Sequence, residues 1–138
     1  VYGPIGRPDM SMNIFIKNNL SKKIINLNNS GLNYRDYTFV GDIVEQIYLC
    51  SKKKSKHNTN LVFNIGGEKN IRLDKLVKLI EKITGLKSKI KLKPRIKLDP
   101  IKSLASNKEI KKYTGFKKST SIEDGVKICV DSFKLNKF

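Results

Sequence analysis

The sequence has no tryptophan, one histidine and two cysteines, and no apolar run reaches the roughly 18 residues that a membrane span requires. Because the chain also lacks a basic start followed by an apolar segment, we expect no membrane association and a cytoplasmic location. Cys50 and Cys129 have neither metal-ligand nor redox spacing, which predicts two reduced packing residues. The lone His57 lies in a polar, lysine-rich segment, which predicts a solvated loop residue and no metal site.

Acidic residues are also scarce: 12 of them stand against 29 lysines and arginines, for a formal net charge of +17. Such a charge is typical of polyanion binders, so a basic module that binds nucleic acid is one alternative. The cations, however, are 25 lysines and only 4 arginines, spread along a chain rich in isoleucine and asparagine. This composition is typical of AT-rich coding, and it disfavours nucleic acid as the partner.

The length of 138 residues suffices for one hydrophobic core but not for the two that a nucleotide-dependent enzyme usually needs. We therefore expect a single domain over residues 1–138. The sequence contains no G-x-G-x-x-G turn, no P-loop, no Ser/His/Asp set and no C-x-x-C pair. Nothing in these residues by itself predicts a nucleophile or a dinucleotide-binding loop.

The first forty residues carry patterns for one helix and two extended segments. Apolar residues recur at helical spacing over residues 11–21, with Asp9 or Ser11 as the candidate N-cap. Residues 24–27 have the composition of a short strand, and a turn then leads to an extended segment at residues 33–40. We expect these two segments to form a hairpin-like unit.

The middle of the chain predicts a helix followed by a buried strand. Asp42 with Glu45 three residues later is a capping-box pattern, and the apolar stripe continues through Ile47 and Tyr48. Residues 61–65 form a continuous apolar run that two glycines stop. Continuous rather than alternating apolarity predicts a strand that is buried on both faces of a parallel sheet.

The remaining residues predict three helices and one strand. Residues 73–83 form an amphipathic pattern that ends at Gly85, a C-terminal helix cap. Residues 89–93 alternate with period two, which predicts a half-exposed strand. Further helices are predicted near residues 107–113, closed by Gly115, and from Ser121 onward, where the sequence begins with a capping pattern. The order is βαβ-like and predicts an α/β fold.

Three motifs carry a resemblance to a known family: VYGP with GRPDM within residues 1–10, RDYTFV with DIVE within residues 35–45, and FNIG at residues 63–66. In this order they resemble the C-terminal part of the extended short-chain dehydrogenase/reductases, the NAD-dependent nucleotide-sugar epimerases and dehydratases. Within that family they are most similar to the UDP-glucuronate 4-epimerase branch. The resemblance implies a substrate-binding portion with a small mixed sheet and helices, its Rossmann half missing.

The resemblance also implies that the chemistry lies elsewhere. Family members place the NAD-binding glycines and the catalytic Tyr-x-x-x-Lys pair upstream of VYGP. We therefore expect no catalytic residue in this chain, a UDP-sugar as ligand, no NAD bound by this chain alone, and no activity alone. The alternative is a working half that assembles with a separate Rossmann chain.

Two arginines match substrate-binding positions of the family. Arg35 matches an arginine that grips the diphosphate, unless it forms an ion pair with Asp36 or another acid. Arg7 matches an arginine near the sugar carboxylate, unless it is tied to Asp9. The resemblance thus implies two cationic contacts to one ligand.

Four further positions complete the implied site, with departures from the family pattern. Asn26 and Asn28 match positions that line the uracil and ribose, and Ser103 matches a residue near the diphosphate. The usual Gly-Asp pair reads Leu98-Asp99 here, so a glycine that permits a tight turn is lost. Isoleucine occupies the position of the family's phosphate-binding arginine, Ile96. The neighbouring Arg95 can substitute for that arginine only if the loop shifts by one residue.

The apolar run at residues 61–65 has a consequence for assembly. If the neighbouring Rossmann strands are absent, this run must expose an apolar strand edge or be covered by a second copy of the chain. We therefore expect a homodimer or a partner-dependent fold, with residues 1–3 and 61–65 at or next to the contact.

Overall fold

The computed structural model describes residues 1–53, 60–117 and 119–136, so His57 and most of the predicted polar loop lie outside the described residues. Helices and short strands alternate along the described chain. They are α1 (Ser11–Leu20), β1 (Ile24–Asn28), β2 (Tyr34–Asp36), α2 (Val40–Ser51), β3 (Asn70–Arg72), α3 (Leu73–Thr84), β4 (Lys89–Lys93), α4 (Lys108–Thr114) and α5 (Ile122–Asn136). None of these helices is both long and apolar enough to cross a membrane.

The strands form two small sheets of opposite type. β1 pairs with β4 in parallel, with Ile25 opposite Ile90, while β2 pairs with β3 in antiparallel register, with Arg35 opposite Ile71. The expected hairpin of β1 with its successor is therefore wrong. Between them the chain passes through a 3₁₀ turn (Asn29–Gly31) whose three residues all have positive φ. This turn directs β2 away from β1, and the fold is mixed α/β.

The hydrophobic core lies where α1, α3 and α5 pack together and α1 covers one face of β1. Its members are almost completely buried, and each contributes about 1.5–3 kcal/mol through the burial of an apolar side chain. They include Met12, Ile16, Ile25, Leu27, Leu76, Ile80, Val126 and Val130. Cys129 belongs to this core, as predicted, and burial raises the pKa of its thiol to about 11.

Local capping patterns predicted the ends of α3, α4 and α5. Gly85 and Gly115 follow α3 and α4 in the left-handed conformation, with φ of 73° and 80°. A residue with a Cβ is strained there, which explains why glycine ends both helices. Before α5, the Ser121 hydroxyl accepts a hydrogen bond of 3.0 Å from the backbone N–H of Asp124.

The predicted caps of α1 and α2 are wrong. Neither helix has a side-chain cap, and α2 begins two residues before Asp42. The Asp42 carboxylate instead accepts hydrogen bonds from the backbone N–H (2.8 Å) and hydroxyl (2.7 Å) of Thr120. Ser11 forms a 2.6 Å hydrogen bond with the Tyr37 hydroxyl rather than capping α1. Both side chains join distant segments, which local sequence patterns do not reveal.

Residues 61–65 do not form the predicted buried strand. The segment is not part of a strand, and Leu61 and Val62 are 52% and 91% exposed. No described strand pairs with it. Leu61 and Val62 lie in solvent, whereas Phe63 and Ile65 are half-buried.

Two side chains hold the glycines that follow this segment. Asn107, which is buried, receives the Gly66 N–H at 2.6 Å and donates to the Gly66 carbonyl at 2.6 Å. The Asp36 carboxylate accepts the Gly67 N–H at 2.6 Å. A Cβ on Gly66 would lie 2.6 Å from the Cβ of Ala105. The close approach therefore requires glycine at position 66.

We expect Asn107→Ala to lower the free energy of unfolding by about 2–4 kcal/mol, because it leaves a buried N–H and a buried carbonyl of Gly66 without partners. Urea denaturation followed by circular dichroism measures the change. Asn64→Ala, at an exposed position, is the matched control and should change stability by less than about 0.5 kcal/mol. Equal effects of the two substitutions would contradict the structural role of Asn107.

Candidate functional site

A cleft of about 630 Å³ lies between the loop before α1, α1 itself, β1 and β2. Four of the six residues proposed from sequence line it: Arg7, Asn26, Asn28 and Arg35. Arg95 is exposed and Ser103 lies behind β2, and neither belongs to the lining. The fold thus gathers residues from three separate elements into one cavity.

The two asparagines reach the cleft because β1 alternates. Ile25 and Leu27 point into the core and are almost completely buried. Successive side chains of a strand point to opposite faces, so Asn26 and Asn28 project from the other face, into the cleft. Their amides can both donate and accept hydrogen bonds.

Arg35 is held by three acceptors. Its guanidinium donates to the Tyr34 carbonyl at 2.8 Å, to the Pro100 carbonyl at 2.6 Å, and to the Asp99 carboxylate. Asp99 also accepts a 2.7 Å hydrogen bond from the Asn33 amide. The side chains of Arg35 and Asp99 are 23% and 30% exposed. The ion-pair alternative foreseen for Arg35 therefore occurs, with Asp99 as the acid.

Asp36 is not available to Arg35, because backbone groups occupy its carboxylate. Besides the Gly67 N–H, it accepts the Ala105 N–H at 2.8 Å. The backbone N–H of Asp36 donates to the Ser103 hydroxyl at 3.2 Å. Ser103 thus contacts the backbone of β2 at Asp36, which lines the cleft, but does not line the cleft itself.

Arg7 also lines the cleft and pairs with Asp9. The closest nitrogen–oxygen distance is 3.2 Å, and the two side chains are 74% and 70% exposed. The Arg7 carbonyl accepts a 2.8 Å hydrogen bond from the Asn13 amide, which fixes the backbone of the loop. The side chain itself remains in solvent and can turn toward a ligand.

Tyr37 also lines the cleft. Tyr37 contacts Ser11 through their hydroxyls, and burial raises the pKa of the Tyr37 phenol, so the group is neutral at physiological pH. Tyr37 packs edge-on against Tyr2, with ring centroids 5.9 Å apart. The sequence did not single out Tyr37 or Asp99 as lining residues. Asp99 remains at its family position beside the lost glycine, which was the available signal.

The arrangement is suited to binding. Its lining offers two arginines, three asparagine amides, three carboxylates and hydroxyl groups. Among the described residues no group of three His, Cys, Asp or Glu side chains could hold a metal ion. The lining therefore consists largely of hydrogen-bonding groups and charges of both signs.

Comparison with known proteins identifies the family. The model of the NAD-dependent epimerase/dehydratase family matches residues 1–66. A UDP-glucuronate 4-epimerase of Thermodesulfobacterium geofontis is 34% identical over 137 residues. The chain belongs to the NAD-dependent epimerase/dehydratase family. An uncharacterized protein of Methanocaldococcus jannaschii is 36% identical over 137 residues.

The epimerase family also supplies the fold. The UDP-glucuronic acid 4-epimerase of Bacillus cereus, solved with UDP-glucuronic acid and NAD, superposes with a TM-score of 0.89 at 25% identity. The match covers 98% of this chain and 43% of that one. The match to each of the two sequence relatives covers 99% of this chain and 41% of the relative's own length. The chain thus spans about two fifths of its relatives and has the fold of the C-terminal part of an extended short-chain dehydrogenase/reductase.

The two arginine–aspartate pairs should differ in their contribution to stability. We expect Asp99→Ala to lower the free energy of unfolding by about 1–3 kcal/mol, because it removes a partly buried partner of both Arg35 and Asn33. Asp9→Ala, at an exposed pair, should cost less than about 0.5 kcal/mol. Urea denaturation of both variants measures the difference. A larger effect at Asp9 would contradict the described anchoring of Arg35.

Proposed function

We propose that this chain is the UDP-sugar-binding part of a UDP-glucuronate-type 4-epimerase and is inactive without an NAD-binding part. One observation carries the proposal: four positions that match substrate contacts of the family line a single cleft. They come from the loop before α1, from β1 and from β2. The named activity of the Thermodesulfobacterium relative supports the choice of substrate class.

In this proposal different residues of the cleft bind different parts of the UDP-sugar. Asn26 and Asn28 bind the uracil and ribose through their amides. Arg35 binds the diphosphate and Arg7 binds the sugar carboxylate, since a guanidinium forms paired hydrogen bonds with planar anionic groups. Ser103 acts indirectly, through the backbone of Asp36. Arg95 contributes only if the loop after β4 moves toward the ligand.

NAD is the cofactor of the family, and the described residues do not fit it. Dinucleotide sites present free N–H groups of a glycine-rich turn at a helix N-terminus. The adjacent glycines of the described chain, Gly66 and Gly67, donate their N–H groups to Asn107 and Asp36. No step of the reaction is therefore assigned to these residues, and we propose that NAD binds in the part of the enzyme that this chain does not span.

An apolar patch gives this part a place to dock. Val44, Ile47 and Tyr48 on α2 are more than half exposed, although their spacing predicts a packed stripe. Val1, which lines the cleft, is also exposed and lies near the start of α2, since Tyr2 forms a bridge with Phe39. Leu61 and Val62 are also exposed. They precede Phe63, whose ring contacts Tyr113 of α4, the helix against which α2 packs.

We propose that an NAD-binding part, in the same or in a separate chain, covers the patch on α2. The relatives have about three fifths of their length beyond the region matched here, enough for a Rossmann domain. A homodimer through the same patch is the alternative. Exposed apolar surface of this kind usually marks a protein contact.

The first test is ligand binding. We expect calorimetry to detect UDP binding to this chain, and we expect Arg35→Lys to weaken it about tenfold, since lysine keeps the charge but loses the planar fork. Arg95→Lys, outside the cleft lining, is the control and should leave the affinity unchanged. NAD should give no binding heat. Micromolar NAD binding, or UDP binding that is insensitive to Arg35, would contradict the proposal.

The second test concerns the patch. We expect Ile47→Glu to prevent complex formation with the purified N-terminal part of the Thermodesulfobacterium relative, because it buries a charge in an apolar contact. Lys82→Glu, on the exposed face of α3, is the control and should leave the complex intact. Light scattering measures the masses. Self-association of this chain through Ile47, with no complex, would favour the homodimer instead.

A further inference from the structure

The charge of the cleft lining is not positive, although the whole chain is strongly basic. Two cations line it, Arg7 and Arg35, against three carboxylates, Asp9, Asp36 and Asp99. Each arginine is already paired with one of these carboxylates. A diphosphate, which carries at least two negative charges, needs cations whose charge is not already balanced.

The neighbouring strand supplies such cations. In the parallel register, Asn26 lies opposite Lys91 and Asn28 lies opposite Lys93. Paired residues of adjacent strands project from the same face of a sheet and lie about 4.8 Å apart. The two lysines therefore emerge beside Asn26 and Asn28, next to the cleft but outside its lining, while Ile90 and Leu92 face the opposite side.

These lysines are available to a ligand. Within the described segments, neither Lys91 nor Lys93 takes part in an ion pair. Lys91 is exposed and Lys93 is partly buried. Lys93 directly precedes Pro94, whose carbonyl accepts a hydrogen bond from the Asn29 backbone, so β4 is anchored at the end of β1 that carries Asn28.

We propose that Lys91 and Lys93 form a cationic edge of the cleft that binds the phosphate groups of the ligand. The inference deepens the proposed function, on which the choice of a nucleoside diphosphate rests. The lysines supply the uncompensated charge, and Arg35, already held by Asp99 and two carbonyls, supplies directed hydrogen bonds.

The test compares three probes by calorimetry on the whole chain: UDP, uridine and inorganic pyrophosphate. We expect the double variant Lys91→Gln/Lys93→Gln to bind UDP and pyrophosphate at least about tenfold more weakly, because two charge-assisted contacts are lost. Uridine, which has no phosphate, should bind the variant and the unaltered chain equally well. Added salt should weaken UDP binding to the unaltered chain more than to this variant.

A matched control separates a local effect from a change in net charge. Lys78→Gln/Lys82→Gln removes the same charge from exposed positions of α3 and should change UDP affinity less than twofold. Lys91→Arg/Lys93→Arg keeps the charge and should retain affinity for UDP. This conservative variant also shows whether a loss in the glutamine variant comes from misfolding.

Each failure has a distinct signature. The cationic edge is wrong if UDP binds the Lys91→Gln/Lys93→Gln variant as well as it binds the unaltered chain, or if the α3 control is weakened equally. In either case the proposed function stands. If pyrophosphate binding depends on the two lysines but UDP and uridine binding is absent, the edge stands and the nucleotide proposal is wrong. If neither UDP nor pyrophosphate binds, both are wrong.

Discussion

The Asp36 carboxylate is the contact on which the arrangement around the cleft depends. By accepting the N–H groups of Gly67 and Ala105, it joins β2 to two segments that are about 30 and 70 residues away along the chain. A carboxylate satisfied by backbone donors forms strong, directional hydrogen bonds. Arg35, the preceding residue of β2, binds Asp99 and so joins β2 to the loop that follows β4.

Neither sheet could provide this frame alone, since a two-stranded sheet is marginal in water. β1 is stabilised by the core that lies beneath it, and its alternation separates Ile25 and Leu27 from the asparagines of the cleft. β2 is stabilised by polar contacts on both sides, since the Tyr34 N–H also donates to the Ile101 carbonyl. The cleft thus lies between β1, which packs on the apolar core, and β2, which is held by polar contacts.

The excess of positive charge and the charge of the site are separate properties of this protein. The net charge of +17 is distributed over lysines on most elements, while the arginines at the cleft are neutralised by aspartates. Composition therefore predicts an attraction to anions in general. Which anion binds, and where, depends on the few cations whose partners the fold leaves open.

The sequence by itself determined the helices α3, α4 and α5, the strand β4 and the glycines that end α3 and α4, because periodicity and capping act within one turn of chain. It also indicated the family and four residues of the cleft. Only the tertiary structure decided that β1 pairs with β4, that Asp42 binds Thr120, that Arg35 binds Asp99 and that residues 61–65 stay outside a sheet. Each of these depends on a partner that is distant in sequence, and a local pattern carries no information about which partner the folded chain brings near.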